Sequence, residues 1–159
     1  MIKVRKSVFE TNSSSTHSLC ITKNALYDDM RKELNFEMQD FGWENEEYHD
    51  AQHKANYIYT ALSNNGEDDL ILIIADTMRK NGIKATFEDP DDKRYGGDKA
   101  YIDHAGELFG VFRDIVLDEE KLLRYLFSTE SFIKTGNDND DLDVSIDVSY
   151  PHDEIYKGN

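Results

Sequence analysis

YHDAQHKANYIYTALSNNGEDDLILIIADTMRKNGIKATFE, residues 48–88, decides the fold class. Tyr48, Ala51, Ala55, Ile58 and Leu62 recur at spacings of three and four, which predicts one apolar face of a helix. The SNNG of residues 63–66 ends it. Glu67, Asp68 and Asp69 then open a second helix with acids at its positive end. Arg79, Lys80, Asn81 and Gly82 close it with cations and a glycine. The apolar run Leu70 to Ile74 would also suit a buried strand, but charges of the right sign at both ends favour helix. Ile83, Ala85 and Phe87 alternate with polar residues and predict a strand over 83–88. Helix, helix, strand is not the regular alternation of a parallel βαβ fold.

Toward the C-terminus, EDPDDKRYGGD (88–98) reads as a loop and KAYID (99–103) as the hairpin partner of the strand before it. Residues 108–116 fit helix and strand equally. Asp118 predicts the cap of a helix carrying Leu122, Leu123, Leu126 and Phe127. Phe132 and Ile133 predict a short strand, TGNDNDD (135–141) a turn, and the chain ends in a polar tail. Leu142, Val144, Ile146, Val148 and Tyr150 alternate without fault, the best strand signal in the chain, with Asp143 and Asp147 on its other face. Toward the N-terminus, Ile2 and Val4 alternate with Lys3 and Arg5 in a strand ending near Phe9. Leu19 and Ile21 alternate with Ser18, Cys20 and Thr22 in a second strand. The polar run Asn12 to Ser18 becomes the long loop of a hairpin between them. Asn24 predicts the cap of a short helix from Ala25 to about Leu34. The expected class is α+β, a single domain over 1–159, with a small antiparallel or mixed sheet of about four to six strands packed with about three helices.

Asp plus Glu number 33 against 18 Lys plus Arg, a net charge of −15 and a pI near 4.6. Such a surface repels nucleic acid and anionic membrane, and attracts a basic protein. Direct binding to nucleic acid or membrane is therefore not expected. Cys20 is the single cysteine, so no disulfide or cysteine zinc site forms within one chain. No apolar segment follows the first cations, and the run LILIIA (70–75) is too short for a bilayer. These features predict a protein of a reducing cytoplasm.

Four constellations could carry chemistry. HDAQH (49–53) puts His49 and His53 one helical turn apart, like the zinc-protease H-E-x-x-H with Asp50 for the glutamate. Asp50 is one methylene short, and both histidines lie off the apolar stripe, so a solvated face is the simpler reading. The run FETNSSSTHSL (9–19) sets serines beside His17 but has neither a nucleophile elbow nor a phosphate-cradling glycine. Turns of this composition satisfy their own backbone. His17, Asp103, His104 and Asp138 form an alternative polar cluster, able to hold a hard metal or a phosphoester if their loops converge. The fourth constellation is acidic. Residues 37–50 hold Glu37, Asp40, Glu44, Glu46, Glu47 and Asp50 without a Lys or Arg. Asp138, Asp140, Asp141, Asp143 and Asp147 crowd the C-terminal third. Phe41, Trp43, Tyr48 and Tyr150 lie among these acids, as aromatic anchors for a partner. The partner-binding surface is expected there, with no catalytic residue, metal or cofactor.

FETNSSSTHSL, FGWE (41–44), YIDH (101–104) and TGNDN (135–139) together resemble a set of small proteins of phages, prophages and mobile elements in Gram-positive bacteria. Within that setting the size, acidity and lack of a catalytic signature are similar to type II-A anti-CRISPR proteins. The resemblance implies a phage-encoded inhibitor, in the cytoplasm of a bacterial host cell, that binds a staphylococcal-type Cas9, at a nuclease domain in preference to the DNA channel, and prevents cleavage. Two other readings stay open. One is a small metal-dependent hydrolase or phosphoesterase built on the His/Asp cluster. The other is a non-enzymatic scaffold protein of the element.

Overall fold

The computed structural model describes residues 15–42, 44–90, 100, 102, 109–137 and 152–158. Its strands are β1 (Ser15–Thr22), β2 (Glu33–Phe36), β3 (Glu46–Tyr48), β4 (Lys84–Phe87), β5 (Phe132–Asn137) and β6 (His152–Gly158). Its helices are α1 (Ala51–Asn64), α2 (Asp68–Lys80), α3 (Phe109–Leu117) and α4 (Glu119–Phe127). The class is α+β, as the sequence predicts. An antiparallel sheet runs β3-β5-β1-β6, and a separate ribbon pairs β2 with β4 in parallel.

The helices follow their local signals. Asp50 caps α1 by accepting from the His53 amide at 2.9 Å. Asp118 caps α4 through the Lys121 amide at 3.2 Å. The run Leu70 to Ile74 is helical, and Gly82 ends the α2 segment at φ 71°, a backbone conformation only glycine adopts without strain. The segment 108–116, undecided by pattern, is α3 from Phe109. Tyr48 belongs to β3 and not to the helix whose stripe it seemed to begin.

Several expectations are corrected. The polar run does not stay a loop, because Ser15 to Ser18 extend β1, with His17 opposite Thr135 of β5 and Gly158 of β6. Ser18 and Thr22, assigned to a polar face, are as buried as Leu19 and Ile21, on β1, one of the two inner strands of the sheet. No helix follows Asn24. The side chains of that segment bond across the fold: Asn24 Nδ2 donates to Glu130 Oε2 at 2.9 Å, and Asp28 Oδ1 accepts from the Thr129 amide at 2.8 Å. The Asp29 amide donates to the Phe127 carbonyl at 2.9 Å, which breaks the i to i−4 ladder. Strand β2 begins at Glu33, where the last residues of that helix were expected. Thr135 to Asn137 form the end of β5, not a turn, and the polar tail is strand β6. Strand β4 pairs with β2, and Ile102 of the proposed hairpin partner makes a parallel bridge to Phe41. The strands expected at 2–9 and 142–150 lie outside the described residues.

One continuous core joins the sheet to the helices. Ten residues of α1 are buried, so this helix is enclosed nearly all round and carries polar side chains inside with it. Phe36 stacks on Phe87 at 4.7 Å across the parallel ribbon, and both rings pack against Tyr59 of α1, which ties the ribbon to the core.

Candidate functional site

The acidic segment 37–47 is held by its own backbone. Three successive amides donate to side chains: Glu37 to Asn56 Oδ1 at 3.0 Å, Met38 to Glu88 Oε2 at 2.7 Å, and Gln39 to Thr60 Oγ1 at 3.0 Å. Asn56 and Thr60 lie one turn apart on buried α1, so the segment runs along a fixed helix face. Met38 and Phe41 turn inward. Phe41 packs edge-on to Tyr48 at 5.3 Å and to Tyr57 at 4.9 Å, so it is core and not the surface anchor expected. Glu37, Asp40, Glu44, Glu46 and Glu47 are exposed. Glu46 and Glu47 lie on β3, an outer strand of the four-stranded sheet, and the Glu44 carbonyl accepts from Thr135 Oγ1 at 2.7 Å.

These acids are not equivalent. Glu47 is engaged within the molecule, 3.7 Å from Lys134 Nζ and 3.2 Å from His49 Nε2. Tyr48 is half-buried, and its ring stacks on His53 at 5.0 Å. Burial first, then the charges of Glu46 and Glu44, raise its phenol pKa above the ordinary value. Trp43 lies outside the described residues, as do Asp138, Asp140, Asp141, Asp143, Asp147 and Tyr150 of the second acidic group.

The HDAQH motif becomes a helix start. Asp50 spends one carboxylate oxygen on the His53 amide and the other on His53 Nδ1 at 2.7 Å. Burial pushes the Asp50 pKa upward, but these two bonds outweigh it and hold the carboxyl below its ordinary value. His49 precedes the helix, donates from Nδ1 to the Thr129 carbonyl at 2.8 Å and stacks on Phe132. The two imidazoles therefore do not share a helix face. Among the described residues no group of three or more His, Cys, Asp or Glu is placed to hold a metal ion.

Of the polar cluster His17, Asp103, His104 and Asp138, only His17 is among the described residues. It is fully buried, and its Nδ1 lies 2.7 Å from the Tyr57 hydroxyl.

The sequence reading missed Lys54. Its ammonium is fully buried and donates to the carbonyls of Ser128 at 2.6 Å and Ser131 at 2.8 Å, beyond the end of α4. The Tyr125 hydroxyl donates in turn to the Lys54 carbonyl at 2.7 Å. Burial pushes the Lys54 pKa down to about 7, against the pull of Asp29, Asp50 and Asp28. A signal was present: Lys54 lies three residues after Ala51 and four before Ile58, on the buried stripe itself. A cation at such a position calls for carbonyl or carboxylate partners inside the fold.

The fold is that of an α+β protein that lays an exposed, carboxylate-rich segment along a buried helix. No protein-family model matches the chain, and no curated protein or solved structure shows significant similarity to it.

Proposed function

We propose that this chain is an acidic docking protein that inhibits a basic effector of the type II-A Cas9 class, seated on a nuclease domain so that DNA binds but is not cut. One observation carries the docking part. The amides of Glu37, Met38 and Gln39 are held by Asn56, Glu88 and Thr60, and the backbone at Glu44 to Tyr48 is bonded to β5, so the chain that carries these acids is fixed before any partner arrives. Charges fixed in advance lose little conformational entropy on binding, and opposite charge on the partner speeds the encounter. Acids on an outer strand also discourage pairing with another acidic chain. They do not discourage a lysine- or arginine-rich face.

The choice of a Cas9 effector rests on the resemblance of the four sequence strings. The preference for a nuclease domain over the DNA channel rests on the compact distribution of the acids. An effector that must swing its nuclease domain into place before cutting is stopped by anything seated on that domain.

The test measures DNA binding and cleavage separately, with purified protein and a staphylococcal-type Cas9 ribonucleoprotein at low and high salt. The expected result is retained DNA binding with cleavage suppressed, and a complex that weakens as salt rises. A Glu44→Lys, Glu46→Lys variant should bind about tenfold more weakly, roughly 1.4 kcal/mol. A protein that neither binds the effector nor slows cleavage would end this reading.

A further inference from the structure

Strand β4 has β2 as its one strand neighbour among the described residues. The ladder uses alternate residues of β4. The Lys84 amide donates to the Lys32 carbonyl at 2.8 Å, and the Glu88 amide to the Phe36 carbonyl at 2.9 Å. Thr86 lies in phase between them, so Ala85 and Phe87 turn their amides and carbonyls away from β2. Among the described residues no hydrogen bond reaches these four groups. The opposite edge of the ribbon is closed by α1. Gln52 Nε2 donates to the Asn35 carbonyl at 2.5 Å, and Asn56 Oδ1 accepts from the Glu37 amide at 3.0 Å. The outer strand β3 of the larger sheet carries Glu46 and Glu47, which oppose pairing with a second acidic strand. The exposed side chains of β4 are Lys84 and Thr86.

The edge sequence KATFE (84–88) complements its own reverse. In an antiparallel pair centred on Thr86, Lys84 faces Glu88 of a second copy, Ala85 faces Phe87, and Thr86 faces Thr86. Ala85 and Phe87 then form the hydrogen-bonded pairs, so all four outward groups of each copy are used. Thr opposite Thr and Lys opposite Glu are favourable cross-strand pairs. A slip of two residues sets Lys84 against Thr86 or Pro90, and a slip of four sets Lys84 on Lys84 or Glu88 on Glu88. The centred register is therefore the one that pairs opposite charges. Both charges already have company: Lys84 Nζ lies 3.4 Å from Glu33 Oε1, and Glu88 Oε2 accepts from the Met38 amide at 2.7 Å. An exposed ion pair rearranges at little cost, and a carboxylate accepts more than one donor.

We propose that β4 is the interface of a two-fold symmetric dimer, in which the 84–88 edges of two copies pair antiparallel and join two ribbons into one sheet, β2-β4-β4-β2. A two-stranded ribbon is marginal alone, and the second copy supplies the missing strands. The −15 on each copy opposes the encounter. The contact is also small against the roughly 1,200 Å² of a stable interface. The dimer is therefore weak and, unlike capture of a basic partner, tightens as salt screens the repulsion. The pair includes no residue of the strip at 37–47, and the proposal holds whether or not the effector is a Cas9.

The experiment follows the full-length protein by sedimentation over a wide range of concentration, at low salt and at about 0.1 M sodium chloride. The average mass should rise with concentration, and more steeply in salt. Thr86→Lys sets like charges directly opposite at the two-fold axis and should weaken association about tenfold. Ala85→Pro removes an outward amide that the ladder does not use and should act the same way. Thr86 is exposed, so its variant keeps the fold, and a melting curve checks both. Thr86→Cys brings two thiols together at the axis, where the Cα atoms of a non-hydrogen-bonded pair lie about 4.5 Å apart, within disulfide reach. Diamide should crosslink it far faster than Lys84→Cys, which faces Glu88, and Cys20 is buried. Hydrogen exchange at the Ala85 and Phe87 amides should slow as concentration rises, while the Thr86 amide stays protected throughout. Four results would each overturn the proposal. They are a monomer at both salts, association unchanged by Thr86→Lys, equal crosslinking of the two cysteine variants, or protection of Ala85 and Phe87 that is independent of concentration. The last would place another segment of the same chain on this edge.

Discussion

Lys54 shows how one side chain can set a pH dependence. Its pKa is about 7 in the folded chain against an ordinary 10.5, so the folded state gives up this proton first. Between those values the unfolded chain binds more protons, and stability rises with pH. The rise is opposed from the alkaline side by Cys20, whose thiol burial pushes from 9.0 up to about 12. Above pH 9 the unfolded thiol ionises while the folded one does not, and this offsets the further rise from Lys54. The melting temperature should therefore climb from pH 7 toward pH 9, and Lys54→Met should flatten that climb in a calorimetric series. Lys54→Ala should cost about 2–4 kcal/mol by denaturant titration, since it opens a cavity and leaves the Ser128 and Ser131 carbonyls without this donor. Tyr57→Phe tests the other buried polar pair. Removing the hydroxyl that faces His17 Nδ1 should cost about 1–2 kcal/mol at equilibrium, with the fold retained.

At the scale of elements, the helix ends offer the cleanest separation of backbone from packing. Gly82 has φ 71°, and a Cβ built there meets nothing within 4 Å. Gly82→Ala should therefore cost about 1 kcal/mol through conformation alone, measured as a shift in the urea midpoint without a change in slope. The same ends explain what was legible in sequence. Caps and macrodipole charges act within one turn, so Asp118 and the charged ends of α2 could be read directly, whereas Asp50, read as part of a metal-like motif, proved to be the cap of α1. Segments whose polar groups bond to distant residues could not. Asn24 looked like a cap, but its side chain serves Glu130, and Asp28 serves Thr129, over a hundred residues away. The run Ser15 to Ser18 looked like a loop because its polarity hid a central strand, whose partners β5 and β6 lie at the far end of the chain. The acidic strip was legible as composition. Its support was not, since Asn56 and Thr60 gain their roles only when α1 and the segment 37–39 lie side by side.

At the scale of the whole molecule, charge acts in two opposite senses that salt can separate. A net −15 on a chain of 159 residues strains the compact state by self-repulsion. The most exposed of the ion pairs that salt would weaken are Arg79 with Asp76, and Lys84 with Glu33 at 3.4 Å. Ion pairs between solvent-exposed side chains add little to stability. Screening at the roughly 10 Å Debye length of 0.1 M salt should relieve more repulsion than it removes attraction. The melting temperature of the isolated protein is therefore expected to rise as sodium chloride is added from low to moderate concentration. Capture of a basic partner should weaken over the same range, because the charges that repel one another are those that attract it. Thermal melts and binding titrations in one salt series decide the point. If both quantities fall together, local ion pairs outweigh self-repulsion, and the acids are structural before they are functional.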